Sequence, residues 1–579
     1  MAGTENRTPS TETSATRLSA LTPSGMRRTL REGIRERPVA LGLVSLTALA
    51  LCIRLLFLGV RIAHWDEARV ALRILEYGQT GNWEYNPGVH GPFLFHVNTV
   101  LFDWFGRSDF VMRLPVAVVG GLLPLSAWFF RDRLRDTEVL ALGGLFALNP
   151  VLLYYSRFMR NDVLVATFAV VAFGCFLRAC DNRSPGALYA GVGSLALAFT
   201  TKENVLVYLA CWVGAAALVI DYRVFLTRSR DTGLLEQALE TLSDALRTLW
   251  NWRTAIILSI VEFFVIISFF YAPRPALFEA VSDLSMIQPV LEDATLGAYN
   301  AFERRWATPG ARDHPFLSFF TDYLDVLAAG AFLVVVFAPF GFLLDRYSTA
   351  GQRDLVAFTT YWGVASIPLY PIVTDISAPW SAVHAVVALA FPAAVGVGAI
   401  VEFGLEQYRR QNLWSAWVAS AVVILCVVQV GGAAYHTSFA APQDEGELVQ
   451  FGQPDDGMRE MVSTVRAVSA QQAGTAVVYY GQHFEPVLYR NPLPWYFQRD
   501  GIATSHSDSP HRVADQDAPV VIAPAGPGIS GGDADLNGSL GEYDRLGAYP
   551  LTLRVSGNTV FAVVYVEKDA LETVRSSGS

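Results

Sequence analysis

The stretch VALGLVSLTALALCIRLLFLGV at residues 39–60, followed at once by RIAHWDEAR at residues 61–69, decides the fold. Its first part is long and apolar enough to cross a bilayer, which takes about 20 residues. It is too long for a signal-peptide core and lacks a small-residue cleavage site, so it reads as an anchor. The second part sets Asp66 and Glu67 side by side at the membrane surface, where ionisable groups are costly unless solvated, paired or used. Two readings stand together here. One is a functional site; the other is an interfacial helix with Asp66 as its N-cap, because Asp66, Arg69, Arg73 and Glu76 recur at helical spacing beside Ala68, Ala71, Leu72 and Leu75.

The rest of the chain extends the membrane reading. Of 579 residues, 52% are hydrophobic, which excludes a soluble enzyme. Hydropathy marks spans near 39–60, 110–130, 138–156, 162–179, 186–200, 203–220, 254–271, 325–345, 355–373, 380–401 and 413–434. Arginines around 27–37, 131–135, 178–183, 223–230, 346–353 and 409–410 fall on alternate loops and mark the cytoplasmic side. Loops 61–109, 156–162, 200–203, 272–324 and 374–379 then face outward, as does everything after about 435. The expected organisation is a cytoplasmic disordered tail (1–38), a transmembrane domain (39–434) and an extracytoplasmic, acidic, mixed α/β domain (435–579). Leu, Ala and Trp at helical intervals in 221–253 read as a helix on the inner membrane surface. No internal repeat points to an inverted-repeat transporter.

Lys202 and Lys568 are the only lysines in a chain of net charge −10, a composition that fits a salt-adapted, halophilic prokaryote. In the tail, acidic residues outnumber basic ones, which keeps an exposed domain hydrated. No clustered basic face speaks for a nucleic-acid partner. Cys52, Cys175, Cys180, Cys211 and Cys426 lie in or beside apolar runs, so neither a disulfide framework nor a cysteine zinc site is encoded. The tail's β-rich runs are 475–480, 518–523 and 551–566, and its His483, His506 and His511 match no zinc spacing. No cofactor is indicated, and a divalent cation is not signalled by any ligand pattern.

Four outward-facing clusters can carry chemistry. The first is Asp66, Glu67 and Arg69. The second runs from Trp83-Glu84-Tyr85 to His90-Gly91-Pro92 and an interfacial helix from Phe93 to Phe105, with His90 either a ligand or a turn residue. The third is Ser156-Arg157-Phe158-Met159-Arg160-Asn161-Asp162, whose two arginines run against the positive-inside bias, so something negative holds them; Asp162 itself is one such partner. The fourth is Thr201-Lys202-Glu203-Asn204 in a tight hairpin, either a binding lysine or a Lys–Glu pair capping the turn. Cations beside carboxylates at a membrane surface suit a lipid-phosphate substrate. They stabilise the phosphate, and a carboxylate takes the proton from an attacking hydroxyl.

On these residues the sequence resembles the dolichyl-phosphate-mannose protein mannosyltransferase superfamily, including bacterial lipid-A aminoarabinose transferases, membrane glycosyltransferases of the GT-C fold. The resemblance spans roughly 60–210. Asp66-Glu67-Ala68-Arg69 is similar to the family's acidic motif in the first outer loop, Phe105-Gly106 with Arg113-Leu114-Pro115 to the start of its following helix, and Tyr155-Ser156-Arg157-Phe158 with Asp162 to its second outer motif. The Lys202 hairpin is similar in placement. Within the superfamily, His90-Gly91-Pro92 resembles a haloarchaeal subfamily named for association with lipid-linked oligosaccharide flippase activity.

The resemblance implies a polyprenyl- or dolichyl-phosphate-linked sugar as donor, a glycan or protein as acceptor, Asp66 as catalytic base and Glu67 in support. Arg69, His90, Arg157, Arg160, Asp162, Lys202 and Glu203 are the expected substrate-binding residues. It also admits a non-catalytic role in flipping dolichol-linked glycans. Two departures matter. Relatives carry Lys-Pro-Pro where this chain has His90-Gly91-Pro92, exchanging a permanent charge for a titratable one. The Trp-Trp-Asp-Tyr-Gly motif of archaeal oligosaccharyltransferases is absent, which argues against transfer of a whole glycan to asparagine.

Overall fold

The computed structural model describes residues 23–227, 247, 250–306, 315–349, 351–374, 376–440, 446–449, 452–471, 474–514, 518–529, 531–536, 539–551 and 559–577. The expected N-terminal tail up to residue 22 and most of the expected inner-surface helix, 228–246, lie outside these residues.

The anchor is helix α1 (Pro23–Leu55), followed by the acidic-loop helix α2 (Trp65–Thr80), the interfacial helix α3 (Phe93–Phe105) and α4 (Asp109–Leu122), which continues as a 3-10 turn to Phe130. Then come α5 (Asp136–Leu148), α6 (Pro150–Tyr155), α7 (Asp162–Asn182), α8 (Pro185–Thr201), α9 (Val205–Thr227) and α10 (Arg253–Tyr271). Loop 272–324 holds short helices α11 (Ala276–Ser282), α12 (Ile287–Glu292) and α13 (Ala298–Trp306). The membrane part closes with α14 (Phe316–Gly330), α15 (Phe332–Arg346), α16 (Asp354–Val373), α17 (Ala382–Arg409) and α18 (Leu413–Tyr435).

Eight helices among the described residues are long and apolar enough to span a membrane, and α14 with α15, bent by 91°, makes a ninth if counted as one span. Of the eleven runs expected from hydropathy, three differ in form from one straight helix of that length. The run 138–156 is two helices, because Asn149 caps Leu152 N and Pro150 starts a new helix without an N–H to continue the old one. The run 186–200 is the 17-residue α8, at the short end of what crosses a bilayer; Lys202 at its end meets Asp162 at the start of α7, so α8 returns along the length of α7. The run 325–345 straddles the bend after Gly330.

Helix α17 lies at the centre, buried from Ala382 to Gly396, and packs against α5, α15, α16 and α18. Its alanines allow the close approach that helix packing in lipid depends on. The loop after α6 is pinned from within the bundle. Arg54, fully buried near the end of α1, donates to Phe146 O (3.1 Å), Ala147 O (2.8 Å) and Ser156 Oγ (3.1 Å).

After α18 the chain forms α19 (Met458–Ser469), α20 (Leu493–Arg499), α21 (Pro510–Ala514) and α22 (Lys568–Ser577) around a five-stranded sheet. Strands β1 (Val477–Tyr480), β2 (Thr504–Ser507), β3 (Val520–Ala525), β4 (Tyr543–Pro550) and β5 (Phe561–Glu567) run in the order β2-β1-β3-β5-β4. Strand β1 pairs in parallel with β2 and β3, while β5 pairs antiparallel with β3 and β4. β1 and β3 are apolar nearly throughout, as strands covered on both faces must be. The tail is thus mixed α/β. The expected runs 475–480 and 518–523 are β1 and β3, and 551–566 holds β5 from Phe561, its residues 552–558 lying outside the described ones. β2 and β4 were not foreseen, since Thr504–Ser507 and Tyr543–Pro550 are polar edge strands with little apolar signal.

Candidate functional site

The site begins at the N-terminus of α2. His64, not Asp66, is the N-cap: its Nδ1 accepts from Asp66 N at 3.0 Å, and Glu67 Oε2 accepts from His64 N at 2.9 Å. Consecutive residues on a helix point about 100° apart. Glu67 therefore turns inward and Asp66 outward. Glu67 is fully buried, accepting from Arg113 Nε and Nη2 (both 2.8 Å), Arg61 Nη2 (3.1 Å) and Met159 N (2.8 Å). Burial raises a carboxyl's pKa, but Arg113 and Arg61 outweigh it and hold Glu67 well below the usual range. With no acceptor oxygen left for a substrate, Glu67 ties loop 61–109 to loop 156–162. Glu67 faces away from the pocket, so the expected support of the chemistry is limited to the position it gives α2.

Asp66 is different. Its side chain is 30% exposed, and Oδ2 accepts from Arg160 Nη1 at 2.5 Å. No hydrogen bond to its other oxygen is found among the described residues. Burial opposes its ionisation, but Arg160 foremost, then His64, keeps its pKa below the ordinary value, so it is a carboxylate at neutral pH. Arg160 also lies 3.6 Å from Asp162 Oδ2, with its guanidinium 3.7 Å over the Trp380 ring. Asp162, 1% exposed, takes Lys202 Nζ at 2.8 Å and His384 Nε2 at 3.2 Å on Oδ1, and Tyr208 OH bonds His384 Nδ1 at 2.8 Å.

Two expectations change here. Lys202 is 5% exposed and committed to Asp162, so it is neither open to a phosphate nor paired with Glu203. Asp162 is likewise enclosed and acts by holding Arg160 and Lys202. His384, missed in the sequence reading, was hidden inside the apolar span 380–401. An ionisable residue within such a run was the available signal.

A small pocket of about 40 Å³ opens beside Asp66, lined also by Arg69, Gly88, His90, Met159 and Arg160. Arg69 makes no ion pair among the described residues. Its buried Nε has no hydrogen-bond partner, and its guanidinium lies 5.6 Å over the Trp65 ring. His90 Nδ1 sits 3.4 Å from Glu203 Oε2, and Tyr85 OH donates to Glu203 Oε1 at 2.6 Å. Burial raises the Glu203 pKa, and the His90 and Tyr85 contacts more than reverse this. His90 carries a positive φ of 67°, a conformation that non-glycine residues rarely hold and that tends to collect at functional sites. The Gly91 that follows is required sterically, because a Cβ there would lie 2.2 Å from Thr200 O. Tyr85, His90 and Glu203 thus join the first loop to the α8–α9 hairpin. The pocket has room for little more than a water molecule, at about 30 Å³ each.

Arg157 lies elsewhere. Its Nη1 donates to Ile53 O (3.0 Å), Arg54 O (3.0 Å) and Leu56 O (2.7 Å), and Nη2 to Phe57 O (3.3 Å), capping the C-terminal end of α1. Burial first, then Arg61 and Arg113, lowers its pKa to about 9, so it stays charged at neutral pH. It does not line the Asp66 pocket, which corrects its placement among residues binding the same phosphate.

The tail is built onto this site. Asp109 accepts from Trp495 Nε1 (2.7 Å), Tyr496 OH (2.9 Å) and Arg499 Nη1 (2.6 Å), while Tyr496 OH accepts from Ala63 N (2.7 Å). Gln453 Oε1 accepts from Arg61 Nη1 at 2.6 Å, and Trp65 Nε1 donates to Leu488 O at 3.1 Å. Of the tail histidines, His506 bonds Gly481 O at 3.0 Å and His483 stacks on Tyr489. Among the described residues no group of three His, Cys, Asp or Glu is arranged to hold a metal ion.

The bundle of membrane helices, with an acidic centre on its first loop and a small sheet domain docked over it, has an ArnT-like fold. Residues 89–235 match the family model described as dolichyl-phosphate-mannose-protein mannosyltransferase, and residues 458–567 match the Agl23 flippase-associated protein C-terminal domain. Among solved structures, ArnT from Cupriavidus metallidurans bound to undecaprenyl phosphate is similar at 18% identity, covering 90% of this chain and 97% of that one with a TM-score of 0.51. The same enzyme in the apo state matches at 17% identity and a TM-score of 0.52, over the same shares of both chains. The Archaeoglobus fulgidus oligosaccharyltransferase tethered with an acceptor peptide aligns at 12% identity over 83% of this chain and 68% of that one, with a TM-score of 0.44. No curated protein matches the sequence.

Proposed function

We propose that this protein is an inverting glycosyltransferase that uses a polyprenyl- or dolichyl-phosphate-linked sugar at the outer membrane face. The observation that supports it best is the division of labour between the adjacent carboxylates. Glu67 is spent on Arg113 and Arg61, while Asp66 is ionised, part-exposed and next to Arg69, a cation with no ion-pair partner among the described residues. In this reading Asp66 takes the proton of the acceptor hydroxyl as its oxygen attacks the anomeric carbon. The carbon–oxygen bond to phosphate breaks with its electron pair on the phosphate, which leaves as an anion held by Arg69 and His90. Arg160, Asp162, Lys202 and His384 position Asp66, and Glu203 with Tyr85 positions His90. A second reading, assistance in flipping lipid-linked glycans, is favoured by the flippase-associated domain matched over 458–567. It gives the Asp66 carboxylate no chemical task.

Native mass spectrometry of the purified protein, followed by a turnover assay with the lipid identified, tests the choice. A polyprenyl monophosphate bearing one sugar, consumed on addition of acceptor and lost from Arg69→Gln, is the expected result. A polyprenyl-linked oligosaccharide that is bound without turnover would reject transfer in favour of flipping.

The reading also requires residues 435–579 to lie outside the cell, with the N-terminus inside. The docking of α20 on Asp109 and Ala63 beside the site supports a role for the tail in selecting the acceptor rather than in making the bond. Protease added to intact cells is expected to remove the tail; cleavage confined to inverted vesicles would reverse the orientation and exclude an outer-face reaction.

A further inference from the structure

The loop after α6 has two faces. Met159, Arg160 and Asn161 line the Asp66 pocket, whereas Arg157 and Phe158 line a separate cleft of about 620 Å³ between the end of α1, α6 and α18. Its walls are mostly apolar, and its lips face where lipid would be: Phe57 is 63% exposed, Val60 53% and Tyr435 65%.

Two polar features inside it lack a full complement of protein partners among the described residues. Arg157 is 8% exposed and has no carboxylate partner among the described residues; its donors meet only backbone carbonyls, and its guanidinium lies 4.5 Å over Phe439. Carbonyls at a helix end offset part of a positive charge but supply no full counter-charge. A buried, uncompensated cation is costly. The second feature is Ser438, 3% exposed, whose hydroxyl has no hydrogen-bond partner among the described residues. The one carboxylate lining the cleft, Asp456, is exposed.

We propose that this cleft is a second lipid site, separate from the Asp66 pocket, which takes an anionic lipid with its phosphate group on Arg157 and Ser438 and its chain along Leu56, Phe57 and Tyr435. An anion there supplies the missing counter-charge, and the apolar walls cover a hydrocarbon chain that the neighbouring bilayer delivers sideways. The headgroup chemistry is shared by acidic glycerolipids and polyprenyl phosphates.

The test counts bound lipids by native mass spectrometry, with the full-length protein in nanodiscs of neutral phosphatidylcholine doped with either phosphatidylglycerol or dolichyl phosphate. Gly431→Trp is the blocking variant. A Cβ at Gly431 meets nothing within 4 Å, so an indole there enters the cleft without displacing the helix. Gly431→Trp is expected to lower occupancy by one anionic lipid about tenfold, whereas Arg69→Gln leaves that lipid in place. The dopant that fills the site identifies its source. Arg157→Gln, which also loosens the end of α1, should lose the same lipid while the protein still elutes as a folded species. Unchanged stoichiometry in Gly431→Trp, equal filling by phosphatidylcholine alone, or filling by neither dopant would overturn the proposal. Because Arg69→Gln reports on the Asp66 pocket alone, failure of the transferase reading leaves the Gly431→Trp result unaffected.

Discussion

Asp66→Asn is expected to abolish sugar transfer while the protein still inserts and binds its lipid. An amide keeps the size of the side chain and one acceptor oxygen for Arg160, but it does not take a proton at neutral pH. A positioned general base contributes about 10²–10⁴-fold to rate, and the loss should fall in that range in kcat, with little change in donor affinity. The Arg160 contact is on Oδ2 alone, so the variant retains the geometry around Trp380 and Asp162. Transfer measured in membranes, with lipid occupancy read in parallel, separates the outcomes. Undiminished transfer would remove Asp66 as base and move weight to the flipping role.

Glu67→Gln should do the opposite, damaging the fold before any chemistry is asked of it. The substitution leaves Arg113, fully buried, and Arg61, 7% exposed, without their shared counter-charge. Breaking one partner of a buried pair costs about 3–5 kcal/mol. A large drop in melting temperature in detergent, or failure to insert, is the expected result, with Asp66→Asn as the stable control. A Glu67→Gln protein as stable as its parent would show that the hub does not hold the loops. The pH dependence follows from the sign of the shift. The folded pKa of Glu67 lies below the ordinary glutamate value of about 4.3, so its stabilisation is fully present above that value. It is lost only as pH falls through the lower folded pKa.

These two substitutions, one residue apart, show where a linear reading stops. Position in the chain puts both carboxylates at the membrane surface, and composition alone gives no reason to separate them. The rotation of α2, set by packing Ala68, Ala71, Ile74 and Leu75 inward, sends Glu67 to Arg113 and leaves Asp66 at the pocket. The same limit applies to the cations. Arg157 and Arg160 both stand out on the loop after α6, yet one caps α1 and the other binds Asp66, because the turn between them points them to opposite sides.

What the sequence determined by itself is what depends on hydropathy and local spacing. The membrane-spanning runs, the interfacial helix Phe93–Phe105, the mixed α/β tail and the neighbourhood of Asp66, His90 and Asp162 were all legible, since burial in lipid and helical period act over a few residues at a time. Tertiary structure alone decided the pairings. Lys202 with Asp162, His384 with Asp162, Glu67 with Arg113 and Asp109 with Trp495 join residues 40, 222, 46 and 386 positions apart. A buried charge takes whichever opposite charge or donor the packing brings within about 3 Å, and Coulomb attraction in a medium of low dielectric fixes that choice by distance in space, to which separation along the chain gives no guide.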